Sequence, residues 1–169
     1  MAPLIKALMM YVGLSQAQVY GPLFIEAGEK FGLDPFLIAA VAYKETRLTP
    51  NKCYKGAHCI MQIQLKGRSC KSSMDEAIKR RLYDPRECIF AGAKMMSAWR
   101  KYYRKYHDGK PYHWLLHYNQ GRGRCKRVNG KRQACENADR NVITTGKIGG
   151  YAQRVMGIYT SMIMKGFIG

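Results

Sequence analysis

Glu45 is one of 11 acidic residues in a chain of 169, and it stands in the stretch LIAAVAYKETRL, Leu37 to Leu48. Ile38, Val41, Ala42 and Glu45 follow helical spacing, so the carboxyl is expected on the stripe that faces the core, with Lys44 and Arg47 turned elsewhere. An apolar face disfavours the carboxylate anion. The negative end of the helix dipole adds to this, because Glu45 falls in the last turn. A carboxyl held protonated near neutral pH is what a departing glycosidic oxygen needs as its proton donor. The competing reading is a helix-end ion pair with Arg47 or another cation, and periodicity alone favours that.

Other acids do not come to its aid. No Asp or Glu occurs between Glu45 and Asp75; the segment offers Gln62 and Gln64 instead. Asp84 reads as a helix cap, and Asp75 and Glu76 as first-turn acids. His113 and His117 have i, i+4 spacing and could share a metal on a helix, but no H-E-x-x-H is present. They are expected to pack beside Trp114, and no metal or cofactor is expected.

The six cysteines are Cys53, Cys59, Cys70, Cys88, Cys125 and Cys135, and none has C-x-x-C spacing. An even count without metal spacing points to disulfides and an oxidising compartment. Cys125 with Cys135, closing the basic loop CKRVNGKRQAC, is the favoured pair, and Cys53 with Cys59 a second. Twenty-nine Lys and Arg give a formal net charge of +18. Such a surface suits a polyanion: nucleic acid, an anionic membrane or an acidic wall polymer. The mix of aromatics and cations in WRKYYRKYH, Trp99 to His107, supports a nucleic-acid-binding protein as the runner-up function. One solvated helix face explains that stretch equally well, and the cysteines argue against a cytosolic nucleic-acid partner.

These residues need elements to position them. Length and composition, 47% hydrophobic and 24% charged, suit one domain over 1–169. No apolar run is long enough for a transmembrane helix. The start, MAPLIKALMMYVGLSQAQ, reads as folded chain of a mature form with an added Met rather than as a signal peptide. Ser15 is expected to cap a helix that Gly32 stops. Asp34-Pro35 should open the helix carrying Glu45, and Asp84-Pro85 a long helix to Tyr106. Residues 51–65 fit a small hairpin, and Ser73 with Glu76 a capping box. A short helix over 112–118, a basic loop over 122–150 and a last helix from Tyr151 to Met164 complete the reading.

Taken in order, AYKET (Ala42 to Thr46), GAHCIMQI (Gly56 to Ile63), DPRECIFAGA (Asp84 to Ala93), HYNQG (His117 to Gly121) and YAQRV (Tyr151 to Val155) resemble the soluble lytic transglycosylase family of lysozyme-like peptidoglycan enzymes. The resemblance spans roughly residues 31–159. It implies a mainly α (α+β), lysozyme-like fold with a small β-hairpin beside the catalytic helix. Position by position, Glu45 resembles the family's catalytic acid/base and Gln62 the hairpin glutamine that lines the sugar cleft. Tyr118 resembles the tyrosine whose hydroxyl sits near the carboxylate, with Asn119 following in the turn. Met61 and Ile63 alternate with Gln62 and are expected in the core. Thr46 replaces the usual Ser, Cys59 a Gly and Cys88 an Asn. The family's serine after the catalytic helix has no clear counterpart.

In lysozyme-like folds a second carboxylate typically comes from the hairpin, and here there is none. The resemblance therefore implies single-glutamate lytic transglycosylation of the β-1,4 bond between N-acetylmuramic acid and N-acetylglucosamine, with 1,6-anhydro ends. A hydrolytic lysozyme of the same fold is the alternative. The implied partner is the peptidoglycan glycan strand, with anionic envelope polymers beside it. A monomer in the periplasm or secreted is expected, without nucleic acid.

Overall fold

The computed structural model of the protein describes residues 2–67, 69–106, 114, 115, 118 and 150–168. Along the chain run α1 (Pro3–Val12), α2 (Leu14–Phe31), α3 (Pro35–Thr46), β1 (Cys53–Tyr54), β2 (Ala57–His58), β3 (Ile63–Gln64), α4 (Cys70–Lys79), α5 (Pro85–Tyr106) and α6 (Gly150–Ile168). The chain gathers into two compact units, Met1–Lys94 with Gly157–Gly169, and Met95–Met156.

In the first unit α3 forms the centre. Phe36 to Ala42 are all buried, and Ile38 to Ala42 have no exposed surface. A helix apolar on every side has to be enclosed by its neighbours. Its start is fixed as expected: Asp34 Oδ1 accepts from the Phe36 N–H at 2.8 Å, with Pro35 in the first turn. The other oxygen, Oδ2, accepts from the Tyr159 hydroxyl on α6 at 2.8 Å. One carboxylate thus caps α3 and ties α6 to it.

The N-terminal segment is folded chain. α1 buries Leu4, Ala7 and Leu8, which is helical i, i+3, i+4 spacing. Its Tyr11 hydroxyl donates to Ser161 Oγ on α6 at 2.7 Å. Gly13, at φ 82°, ends α1 and begins α2, a left-handed turn that suits glycine. α2 therefore starts one residue before Ser15, which lies inside the first turn and caps nothing. Gly32 stops α2 in the left-handed conformation, as expected.

Between α3 and α4 lies a three-stranded antiparallel sheet, ordered β1-β2-β3. Cys53 faces His58 and Tyr54 faces Ala57; Ala57 and His58 in turn face Gln64 and Ile63. α4 opens at Ser69, not at Ser73. Ser69 Oγ accepts from the Ser72 N–H at 3.1 Å, and Ser72 Oγ accepts from the Ser69 N–H at 3.3 Å, closing the capping box. Ser73 is buried one turn further on, and Glu76 pairs with Arg80. The expected box was displaced because Ser69 and Ser72 offer the same reciprocal bonds four residues upstream.

α5 begins at its expected cap: Asp84 Oδ1 accepts from the Arg86 and Glu87 N–H groups at 2.9 and 3.2 Å. In the second unit Met96, Trp114, Leu115, Tyr118, Tyr151, Ala152 and Val155 are buried.

Candidate active site

Glu45 lies in the last turn of α3, and it is half-buried like Tyr43 and Lys44 beside it. The expected apolar stripe does not single it out, since every residue from Phe36 to Ala42 is buried. What sets Glu45 apart is its place along the axis, where α3 leaves the core. Arg47 and Leu48 then turn the chain through consecutive left-handed conformations, at φ 54° and 58°.

Thr46 holds that exit. It is buried, and its hydroxyl donates to the Ile60 carbonyl at 3.1 Å, with the Ala42 carbonyl one turn back at 3.4 Å. Ile60 lies within the turn from Cys59 to Gln62, closed by the Gln62 N–H donating to the Cys59 carbonyl at 3.1 Å. The residue after the candidate acid is thereby bonded to the turn that carries the candidate sugar contact.

Gln62 sits at φ 49°, and its side chain is held by its own loop. Nε2 donates to the Cys59 carbonyl at 2.9 Å and to the Lys52 carbonyl at 3.3 Å. Both amide donors are thus engaged, and the carboxamide oxygen is the atom left to meet a sugar hydroxyl. Met61 and Ile63 on either side are buried, as expected.

Six non-glycine residues between α3 and β3, namely Arg47, Leu48, Asn51, Lys55, Cys59 and Gln62, are left-handed. Each costs roughly 1 kcal/mol or more for a side chain other than Asn, so the segment needs clamps. Two are covalent: Cys53 is bonded to Cys70, and Cys59 to Cys88. The expected Cys53–Cys59 pair does not form. Cys53 stands opposite His58 in the β1–β2 register, so Cys59, one residue on, leaves toward the other face. There it reaches α5, where Cys88 Sγ also accepts from the Met61 N–H at 3.4 Å.

A third clamp is polar and was not foreseen. His58 is fully buried, with Nδ1 2.7 Å from the Tyr83 hydroxyl and Nε2 2.7 Å from Ser73 Oγ. Ser73 spends its own proton on the Ser69 carbonyl at 2.8 Å, so it accepts from His58 Nε2–H, while Nδ1 accepts from Tyr83. Burial lowers the His58 pKa below its ordinary value and keeps the ring neutral. A fourth is steric: a Cβ on Gly92 of α5 would stand 2.5–2.9 Å from three side-chain atoms of Met61.

Tyr118 is helical and buried in the second unit. Asn119, Cys125, Cys135, His113 and His117 lie outside the described residues, as does the basic loop. Among the described residues no cluster of His, Cys, Asp or Glu could hold a metal ion.

The model of the transglycosylase SLT domain family matches residues 22–141. The chain belongs to that family. No curated protein matches it. The family's substrate is peptidoglycan, and the mainly helical chain with its small sheet has the lysozyme-like architecture expected of an SLT domain. The match begins inside α2 and takes in α3, the sheet, α4 and α5; α1 and α6 flank it. Two positions where this SLT domain departs from the family pattern, Cys59 for Gly and Cys88 for Asn, are partners in one bridge. The glycine of the α5 motif, Gly92, is the place where the Met61 side chain lies against the helix.

Proposed function

We propose that the protein is a lytic transglycosylase that works with one carboxyl group, that of Glu45. The observation that carries this reading is the composition of the segment after α3. From Thr46 to Met74, through all three strands, there is no Asp or Glu. A retaining glycosidase needs a second carboxylate about 5 Å from the first, and this sheet has none to give.

Glu45 protonates the glycosidic oxygen as its bond to the muramic-acid anomeric carbon breaks. The carbonyl oxygen of the sugar's own N-acetyl group bonds to that carbon in place of a protein nucleophile. The Glu45 carboxylate then takes the proton of the 6-hydroxyl, whose oxygen displaces the acetamido oxygen and closes the 1,6-anhydro ring. No water is consumed. Gln62 offers its carboxamide oxygen to the strand; Tyr118 and Asn119 are sugar contacts on the strength of the family resemblance. The two disulfides support a periplasmic or secreted enzyme of the bacterial envelope.

The test is mass spectrometry of the fragments released from purified sacculi, with thermal melts as the folding control. Anhydro ends, one water lighter than reducing ends, are expected from the wild type. Glu45→Gln should lose about 10²–10⁴-fold in rate while remaining folded. Gln62→Ala and Tyr118→Phe should lose less. Reducing ends from the wild type would make the chain a hydrolase. A folded Glu45→Gln protein near wild-type activity would remove Glu45 from the chemistry.

A further inference from the structure

We propose that the exposed side of the three-stranded sheet docks the carboxylates of the peptide stems borne by the glycan strand, through Lys52, Lys55 and Lys66. The inference rests on the peptidoglycan reading above and adds to it the groups that flank the sugars.

The three lysines are exposed and rooted around one small structure. The Lys52 carbonyl accepts from Gln62 Nε2 at 3.3 Å, so this lysine is rooted beside the candidate sugar contact. The Lys55 carbonyl accepts from Gln64 Nε2 at 3.2 Å. Gly56, next to Lys55, lies against the carbonyl of Gly67, next to Lys66; an added Cβ would be 2.6 Å from that oxygen. The Lys55 ammonium rests 5.2 Å from the centre of the Tyr54 ring, which is 61% exposed. Gln62 and three cations thus share one sheet and its flanking turns.

A chain of net charge +18 is basic in many places, so charge by itself selects nothing. The local balance does. Arg80 pairs with Glu76, Arg81 with Asp84 and Arg86 with Glu26, so these three arginines between α4 and the start of α5 have carboxylates beside them. The segment that forms the sheet and its turns supplies no carboxylate of its own, since Thr46 to Met74 contains no acid. Like charges held close without a counter-charge repel, and an anionic ligand relieves that repulsion. The sugars of the strand are neutral. Because Lys52 flanks a residue assigned to the glycan, the anion must belong to the same strand, and the carboxylates of its peptide stems fit that requirement. Lipid headgroups are separate molecules and do not; phosphate polymers, which are joined to the strand only at scattered sugars, are the arm that the experiment removes.

The experiment compares two substrates: sacculi freed of phosphate polymers, and the same glycan stripped of its peptide stems by an amidase. The proteins are the full chain, the triple variant Lys52→Gln/Lys55→Gln/Lys66→Gln and the charge-retaining triple variant to Arg. An exposed charge pair is worth roughly two-fold, so the wild type should favour stem-bearing strands by about ten-fold in kcat/KM. That preference should vanish near ~1 M salt, where screening acts within ~3 Å. The Gln triple should lose it and keep the wild-type rate on stripped glycan; the Arg triple should retain it. Equal wild-type rates on both substrates would overturn the inference, as would a Gln triple that loses equally on both. A preference present only when phosphate polymers are left on the sacculi would assign the lysines to those polymers instead. A wild type that cleaves neither substrate would instead refute the peptidoglycan reading, and this inference with it.

Discussion

The Thr46 hydroxyl donates to the Ile60 carbonyl across 3.1 Å, joining the residue after Glu45 to the turn that leads into Gln62. Both groups lie in the core, so neither has water as a substitute. Thr46→Val keeps the shape and leaves the Ile60 carbonyl without this donor, which costs about 1–3 kcal/mol. Thermal melts should show that loss, and release of fragments from sacculi should fall with it. Thr46→Ser keeps the hydroxyl and should recover most of both. A Val variant as stable and active as wild type would show that the bond positions nothing.

The Cys59–Cys88 bridge closes a span of 29 residues, for which the chain-entropy model gives about 3–4 kcal/mol. Removing both sulfurs by Cys59→Ser and Cys88→Ser should lower the free energy of unfolding in urea by about 3 kcal/mol. The hairpin also loses its tether to α5, so activity should fall at temperatures where the variant is still folded. The Cys53–Cys70 loop interleaves with this one, so the two losses should not add.

His58 sets a pH dependence with a definite sign. Its pKa in the fold is below the ordinary 6.5, because burial penalises the charged ring. The unfolded chain therefore binds the proton first as pH falls. The contribution of His58 is full above about pH 6.5 and is lost as pH drops through the lowered value. Melts of wild type and His58→Gln at pH 7.5 and 5 should show a smaller drop for the variant, although the variant is less stable throughout. An equal drop in both would place the acid sensitivity elsewhere.

Gly92→Ala tests the steric clamp. The added methyl would meet Met61 Cγ and Cβ at 2.8 and 2.9 Å as well as the flexible Cε at 2.5 Å, so rotating the tip of the side chain does not clear it. Overpacking of this kind costs about 1–3 kcal/mol. Adding Met61→Ala to Gly92→Ala should return part of that loss. If the single Gly92→Ala change stabilised the protein, as Gly→Ala does in an open helix, the contact would not be tight.

Much of this protein was legible along the chain because some instructions are local. Asp34-Pro35 and Asp84-Pro85 open helices by bonding N–H groups two or three residues away, and Gly32 ends one through its own backbone freedom. The order of short motifs pointed to the family, and the absence of acids from Thr46 to Met74 bears on the chemistry without any coordinates. Local signals also misled: Ser73 with Glu76 has the spacing of a capping box, yet Ser69 with Ser72 forms one.

Tertiary structure decided what depends on residues far apart in sequence. The hydrophobic pattern placed Glu45 on a buried stripe, but α3 is buried on every side, and only the way its neighbours enclose it shows Glu45 at the point of exit. Spacing made Cys53 with Cys59 a reasonable pair; the β1–β2 register sent them to opposite faces, toward Cys70 and Cys88. His58 with Ser73 and Tyr83, Thr46 with Ile60, and Met61 with Gly92 carry no signature in sequence. Each partner alone is an ordinary residue, and the pairing exists only after packing has brought the two together and removed the water that would otherwise satisfy them.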